Sequence, residues 1–136
     1  MTAPVLNVNP LVAAIDTAVT NAGVPFGDSN KPSDVVAGKP YVVGYSDGGQ
    51  IIDETMRARD GVTVGFVFHT YGQTPDSVRI GRRILMSAIF GLAGQTVGGW
   101  LVHMPVHEAP VPIDRDDTAN PPLYWQTDVV TWRLSA

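Results

Sequence analysis

Residues 61–92 constrain the fold of this chain more than any other stretch, because they predict a long strand followed by a long helix. Every second residue from Val62 to Phe68 is apolar, which is the period of a strand with one buried face. The pattern breaks at Tyr71–Gln73. Thr74 then suits the N-cap of a helix and Pro75 suits its first position. The segment therefore predicts a strand–turn–helix unit at the centre of the domain.

The two sides of the predicted helix differ. One side carries an apolar stripe at helical spacing that would lie on a sheet, formed by Val78, Gly81, Leu85, Ala88 and Leu92. The other side is basic in its first half (Arg79, Arg82 and Arg83) and apolar in its second half (Met86 and Phe90). A helix that is apolar nearly all round needs cover on every side. That cover comes either from the same chain or from a subunit or partner interface, and both alternatives stay open.

Length and composition predict one domain over residues 1–136. A chain of 136 residues buries enough surface to fold without a disulfide or a metal. It has no cysteine, which excludes disulfides and thiolate sites. We expect no secretory signal in the first ten residues, no membrane segment, and synthesis in a cytoplasm. The net charge of −4 argues against a dedicated nucleic-acid binder.

The segments before residue 61 predict one helix and two strands. Asn9–Asn21 has the apolar spacing of a helix, and residues 24–40 are rich in glycine and proline and predict a loop. From Tyr41 the period changes to two. The strands YVVGY and QIIDETM then form a predicted hairpin about Ser46–Gly49, and a second turn at Arg59–Gly61 leads into the central strand. These three strands make an antiparallel meander.

Two later strands complete the predicted sheet. Trp100–Val106 alternates with one apolar face and contains Pro105, which indicates an edge position or a bulge. Leu123–Leu134 is the last strand. Between them residues 108–122 form a proline-rich acidic loop that, like residues 24–40, is a candidate for ordering on assembly. The fold class is α+β: a mostly antiparallel sheet, made of the three-strand meander and two later strands, with two helices packed on it.

The three histidines do not predict a metal site or a catalytic base. His103 and His107 share a strand face with Cα atoms about 13 Å apart, too far for one zinc ion. His69 lies beside Tyr71 where Asp60 or Asp76 could approach it, but a loop-edge histidine held by a turn is the interpretation we favour. No G-x-S-x-G setting or glycine-rich phosphate loop is present. We therefore predict no catalytic residue, no metal and no cofactor.

Three aspartates near residue 115 resemble the start of a calcium loop. Asp114, Asp116 and Asp117 stand at suitable spacing, but Ala119 replaces the glycine of the sixth position and Trp125 replaces the glutamate of the twelfth. The sharp turn and the bidentate ligand are both missing. We interpret the segment as a solvated loop, or as a partner for the arginine cluster of an adjacent subunit.

The layout resembles the tail terminator (tail completion) proteins of long-tailed bacteriophages. The resemblance rests mainly on the strand DGVTVGFVFHTYG followed by TPDSVRIGRRILMSAIFGL, and it extends from Pro10 to Leu134 as a pattern of apolar periodicity. That family has a short N-terminal helix, a strand meander, a long helix and late strands. The chain departs from it at His69–Tyr71, where relatives often end the strand in tryptophan or serine, and in residues 108–122, which have no fixed counterpart.

The resemblance implies a structural virion protein rather than an enzyme. Such proteins form a ring, typically hexameric, on the tail tube, stop its polymerisation and face the head–tail connector, while DNA passes through the lumen without being read. Rings use heterologous interfaces. We expect one patch to carry Arg79, Arg82, Arg83, Met86 and Phe90, and the patch on the neighbour to carry Asp114, Asp116 and Asp117.

Two alternatives remain. Another neck component, a head–tail adaptor or stopper, would also form rings. A small-molecule-binding or isomerase-like α+β enzyme would instead use His69 and an aspartate. It would need a deep cavity lined by Tyr41, Phe66, Tyr71 or Trp100.

Overall fold

The computed structural model describes residues 7–47, 50–51, 61–108 and 111–135. Within these ranges the chain forms two helices and nine strands. In chain order they are α1 Asn9–Asn21, β1 Phe26–Asp28, β2 Tyr41–Ser46, β3 Gln50–Ile51, β4 Gly61–Gly72, α2 Pro75–Phe90, β5 Thr96–Val97, β6 Trp100–Val102, β7 Val106–His107, β8 Asp114–Asp116 and β9 Leu123–Ser135. The α+β class, both helices and the long strands β4 and β9 are confirmed.

The sheet is built on the antiparallel pair of its two longest strands. β4 pairs with β9 over its whole length, from Gly61 opposite Ser135 to Gly72 opposite Tyr124. The order is β1-β2-β4-β9-β6-β5, with β3 also on β4 and with β7 and β8 also on β9. β1 runs parallel to β2, whereas the other pairs among the described strands are antiparallel. The sheet is therefore mixed, because the predicted loop 24–40 begins with a strand.

The predicted hairpin about Ser46–Gly49 is wrong. β2 and β3 do not pair with each other in the described part of the chain. Both pair with β4 on the same side, Ser46 opposite Phe66 and Gln50 opposite Thr63. The register of pairing with β4 therefore differs by one residue between Ser46 and Gln50. Asp47 lies at this break, where Gly65 donates its N–H to Asp47 Oδ1 at 3.0 Å. The second predicted turn, about residues 59–60, lies outside the described residues.

A β-bulge divides the predicted strand Trp100–Val106. Val102 pairs with Leu134, but Val106 pairs with Thr131, so the register shifts by one residue around Pro105. A shift of one residue moves side chains to the other face of a sheet. Val102 is accordingly buried, whereas Met104 and Val106 are 62% and 66% exposed. The single apolar face predicted for this segment is wrong for that reason.

The core lies between the helices and one face of the sheet. The even-numbered residues of β4 and β9 form this inner face, where Trp132 meets the rings of Phe66 and Phe68 edge-on at centroid distances of 5.4 and 6.2 Å. α1 contributes Leu11, Ile15 and Val19 to the same cluster. α2 contributes Leu85 and Ile89, and Leu92 joins them just after the helix ends.

α2 is positioned by its cap and by a close approach to the sheet. Thr74 accepts a hydrogen bond from the Ser77 N–H at 3.1 Å, as predicted for an N-cap. At Gly81 a Cβ atom would lie 2.7 Å from Pro40 Cβ and 3.0 Å from Thr70 Cγ2, so a glycine is needed for this packing distance. Met86 and Phe90 are half-buried and pack against the core cluster, so part of their cover comes from the same chain. Neither described helix is long and apolar enough to cross a membrane.

Truncation of Trp132 tests the packing of this core. We expect Trp132→Ala to lower the free energy of unfolding by about 3–5 kcal/mol, because it removes a fully buried ring and leaves a cavity. Urea denaturation measures the loss. Met104→Ala is the control, since Met104 is 62% exposed, and we expect it to change the stability by less than about 0.5 kcal/mol. A loss for Trp132→Ala as small as that of the control would contradict the described core.

Candidate assembly surface

The sheet has a second face on which neither helix packs. The odd-numbered residues of β4 and β9 form this outer face, since side chains alternate along a strand. The outer-face residues of β4 from Thr63 to Tyr71 are all half-buried, while their even-numbered neighbours are fully buried under the helices. The molecule is therefore a two-layer structure with helices on one side and a largely aromatic and β-branched sheet surface on the other.

An aromatic row crosses the outer face at one end. Tyr41 is opposite Tyr71, and Tyr71 is opposite Trp125. The Tyr41 and Tyr71 rings stack with centroids 5.0 Å apart, and the Trp125 ring lies 6.4 Å from that of Tyr71. We call Tyr41, Tyr71 and Trp125 the aromatic row. Tyr41 is buried, whereas Tyr71 and Trp125 remain partly accessible.

His69 belongs to this surface and is paired with a phenol. Its Nδ1 lies 3.1 Å from Tyr71 Oη, and the Tyr45 ring packs against it at a centroid distance of 5.5 Å. Burial lowers the pKa of His69, and burial followed by the nearby phenols raises the pKa of Tyr71. Asp60 is outside the described residues, and Asp76 pairs with Arg79 on α2. His69 is therefore a neutral hydrogen-bonding group on the outer face.

A cleft of about 230 Å³ opens beside the aromatic row, lined by His69, Tyr71, Asp116, Leu123 and Trp125. The Asp116 carboxylate reaches this cleft because Asp114–Asp116 forms the strand β8. A solvated loop was predicted for this segment. Asp114 pairs with Trp125 and Asp116 with Leu123, so both stand on the outer face. We call Asp114 and Asp116 the acidic pair. The side chain and N–H of Thr118 hydrogen-bond to Asp116 and lower its pKa, which keeps it ionised.

The third predicted aspartate is held differently. Asp117 forms an ion pair with Arg115 inside the same segment, and the Arg115 guanidinium lies 5.6 Å from the centre of the Tyr124 ring. Its charge is therefore matched locally, unlike that of the acidic pair.

The three predicted arginines of α2 also have different surroundings. Arg79 Nη1 pairs with Asp76 Oδ1 at 2.9 Å on the helix surface. Arg82 was expected to project away from the core. Its Nε instead donates to both carboxylate oxygens of Asp128 at 2.9 Å. Arg83 is exposed and has no ion-pair partner in the part of the chain that the structure describes. Only Arg83 among the three presents an unmatched charge.

Asp128 explains why Arg82 turns inward. It lies on the inner face of β9, is fully buried, and also contacts His107 Nε2 at 2.7 Å. A buried carboxylate is costly unless it is paired and hydrogen-bonded. This cluster was not predicted from the sequence, although an aspartate in step with Val130, Trp132 and Leu134 is a signal that a cation must approach. The cluster connects α2, β7 and β9.

The remaining candidate sites do not converge in the described residues. His103 Nε2 contacts Ser135 Oγ at 2.7 Å, away from His107 on Asp128, and no group of three metal-binding side chains occurs in the ranges described. Phe66 and Trp100 are each 2% exposed within the core cluster. They therefore line no cavity in the described residues, and of the side chains named for the enzymatic alternative His69, Tyr71 and an aspartate, Asp116, meet only at the cleft described above.

Comparisons with known proteins support the fold. No protein-family model matches the chain, and no curated protein matches its sequence. Solved structures with a similar fold exist. The match to one of them covers 97% of this chain and 98% of the other, with a TM-score of 0.56 and 12% sequence identity. At that identity the likeness shows a shared fold over the whole chain and nothing about its role.

The buried cluster predicts a large difference between two arginines of one helix. We expect Arg82→Ala to lower the free energy of unfolding by about 3 kcal/mol, because it leaves the Asp128 carboxylate buried with His107 alone. Arg79→Ala removes an exposed pair and should cost less than about 0.5 kcal/mol. Urea denaturation of both variants measures the contrast. Equal and small losses would contradict the assigned role of Asp128.

His69 predicts a pH dependence with a definite sign. Its pKa in the folded chain lies below the ordinary value of 6.5, so the unfolded chain binds the proton more readily. Stability from His69 is therefore present above about pH 6.5 and is lost as the pH falls through and below that value. We expect the wild-type urea midpoint to fall more between about pH 7.5 and about pH 5.5 than that of His69→Gln. Identical falls would show that His69 is not desolvated in the folded state.

Proposed function

We propose that this chain is a structural protein of a long-tailed bacteriophage that forms a ring on the tail tube, ends its polymerisation and joins the tail to the head connector. The proposed identity comes from the resemblance of residues 60–92 to tail terminator proteins. In the described fold an N-terminal helix, a long helix and late strands follow one another in the order that this resemblance implies. The early strands differ from the implied meander, because β2 and β3 both pair with β4.

The observation that carries the proposal is the outer face, on which neither of the two described helices packs. It is formed by two strands of 12 and 13 residues, and its partly accessible side chains include Tyr71, Trp125, Val67 and Val129. Tyr45 beside them is 40% exposed. Aromatic and β-branched side chains grouped in this way are typical of contact surfaces. We infer that another protein chain covers this face in the assembled state.

The opposite side of the molecule supports a ring rather than a twofold dimer. There α2 exposes Ile80, which is 48% accessible, and the unmatched Arg83. The helical side and the outer face differ in shape and in charge. When such surfaces meet, the contact is heterologous and repeats from copy to copy, and it closes a ring where the rotation between copies closes. The interface residues predicted from the sequence remain candidates, and Arg83, Asp114 and Asp116 are the charges among them that have no ion-pair partner in the described residues.

The proposed ring has two ends and a lumen. One end would contact the tail tube protein and the other the head–tail connector protein. DNA would pass through without specific binding, which suits a chain of net charge −4, because a strongly basic lumen would retain the phosphate backbone. No membrane partner belongs to this proposal.

Two mass measurements test the proposal. Native mass spectrometry of the purified chain, alone and with tail tube protein, should detect a species of six 14.5 kDa subunits. Adding the chain to growing tubes should stop their elongation. A chain that stays monomeric with tube protein and leaves tube length unchanged would overturn the proposal. Copurification with portal protein rather than tube protein would instead favour a head–tail adaptor or stopper.

A further inference from the structure

We infer that, in the assembled ring, Arg83 of one copy inserts its guanidinium into the cleft between the aromatic row and the acidic pair of the neighbouring copy. This inference rests on the proposed ring and names the contact that would hold adjacent subunits together. Two features on opposite sides of the molecule support it: the exposed side of α2 that carries Arg83, and the cleft on the outer face of the sheet.

The donor side is a narrow exposed stripe on α2. Asp76, Ile80, Arg83 and Ser87 recur at helical spacing and share one side of the helix. Arg79 is held by Asp76 and Arg82 by the buried Asp128, so the stripe presents one unmatched cation. The exposed Ile80 side chain stands one turn before it. A cation beside an apolar side chain suits a surface that offers both carboxylates and aromatic rings.

The cleft that would receive Arg83 offers both aromatic rings and a carboxylate. The cleft of about 230 Å³ combines the partly accessible rings of Tyr71 and Trp125 with the Asp116 carboxylate. Asp114 stands next to it, since it is the cross-strand partner of Trp125. A planar guanidinium stacks on aromatic rings and bonds carboxylates in the same plane. The cation nearest in sequence, Arg115, is already paired with Asp117.

Arg83 cannot reach the cleft of its own chain. α2 packs on the inner face of the sheet through Val78, Leu85 and Ile89, which are fully buried. The cleft opens on the outer face, so the whole sheet separates the two. The guanidinium must therefore come from a second copy. Because each copy has one donor stripe and one cleft, the contact is heterologous, as a ring requires.

A set of charge variants tests this contact. Association is measured by sedimentation velocity, and circular dichroism checks that each variant folds. We expect Arg83→Ala and Asp116→Asn each to weaken association at least about tenfold, the range of a cation–π contact with a charge pair. Arg83→Lys should weaken it less, since it keeps the charge and loses the planar fork. Lys39→Ala and Asp16→Asn are matched controls at exposed positions, expected to leave association within about twofold of wild type.

The charge swap gives the sharpest result. Arg83→Asp should abolish association, and combining it with Asp116→Arg should restore much of it, because the pair is then reversed. A wild-type ring that Arg83→Ala and Asp116→Asn leave intact would overturn this contact while the proposed function stands. A wild-type chain that stays monomeric even with tail tube protein would overturn both.

Discussion

The antiparallel pairing of β4 with β9 is the interaction on which the rest of the structure depends. It runs without interruption from Gly61 opposite Ser135 to Gly72 opposite Tyr124. The inner side of this ribbon carries the aromatic core under both helices. The outer side carries the aromatic row. β2 and β3 join the ribbon along β4, and β6, β7 and β8 join it in turn along β9, so none of these short strands would persist without it.

A single buried carboxylate determines much of the surface charge pattern. Asp128 has no accessible surface and stands where the inner face would otherwise be apolar, so its burial requires a cation and a hydrogen-bond donor. Arg82 supplies the first and His107 contacts the same carboxylate. This removes Arg82 from the exposed side of α2, where Arg79 is already paired. Arg83 is then the arginine of α2 that has no ion-pair partner in the described residues. For this reason Arg83 is the residue that we place in the proposed subunit contact.

The long elements were predictable from local sequence because their periodicity is strong. α1, α2 and the strands β4 and β9 follow from apolar spacing, and Thr74 from capping chemistry. The break in pairing near Asp47 was not predictable, because it is set by pairing with β4 and changes no local pattern. Pro105 did indicate an edge position or a bulge, but the shift of one residue that leaves Met104 and Val106 exposed is set by pairing with β9. The three-residue strands β1 and β8 were not predicted, because they are too short to show a period of their own and are defined by pairing with β2 and β9. Arg82 was misplaced because its partner lies 46 residues away in the chain. The candidate contact residues were named from charge and, for Met86 and Phe90, from an apolar helix side. Which of the charges are paired within the chain could be seen only in the fold.

We propose that α2 of the next subunit covers the outer face of the sheet in the assembled state. Hydroxyl-radical footprinting, read by mass spectrometry on dilute and on assembled protein, tests this most directly. We expect assembly to protect Tyr71 and Trp125 on the outer face together with Ile80 on α2. An assembled ring in which these three side chains are oxidised as readily as in the dilute chain would contradict it.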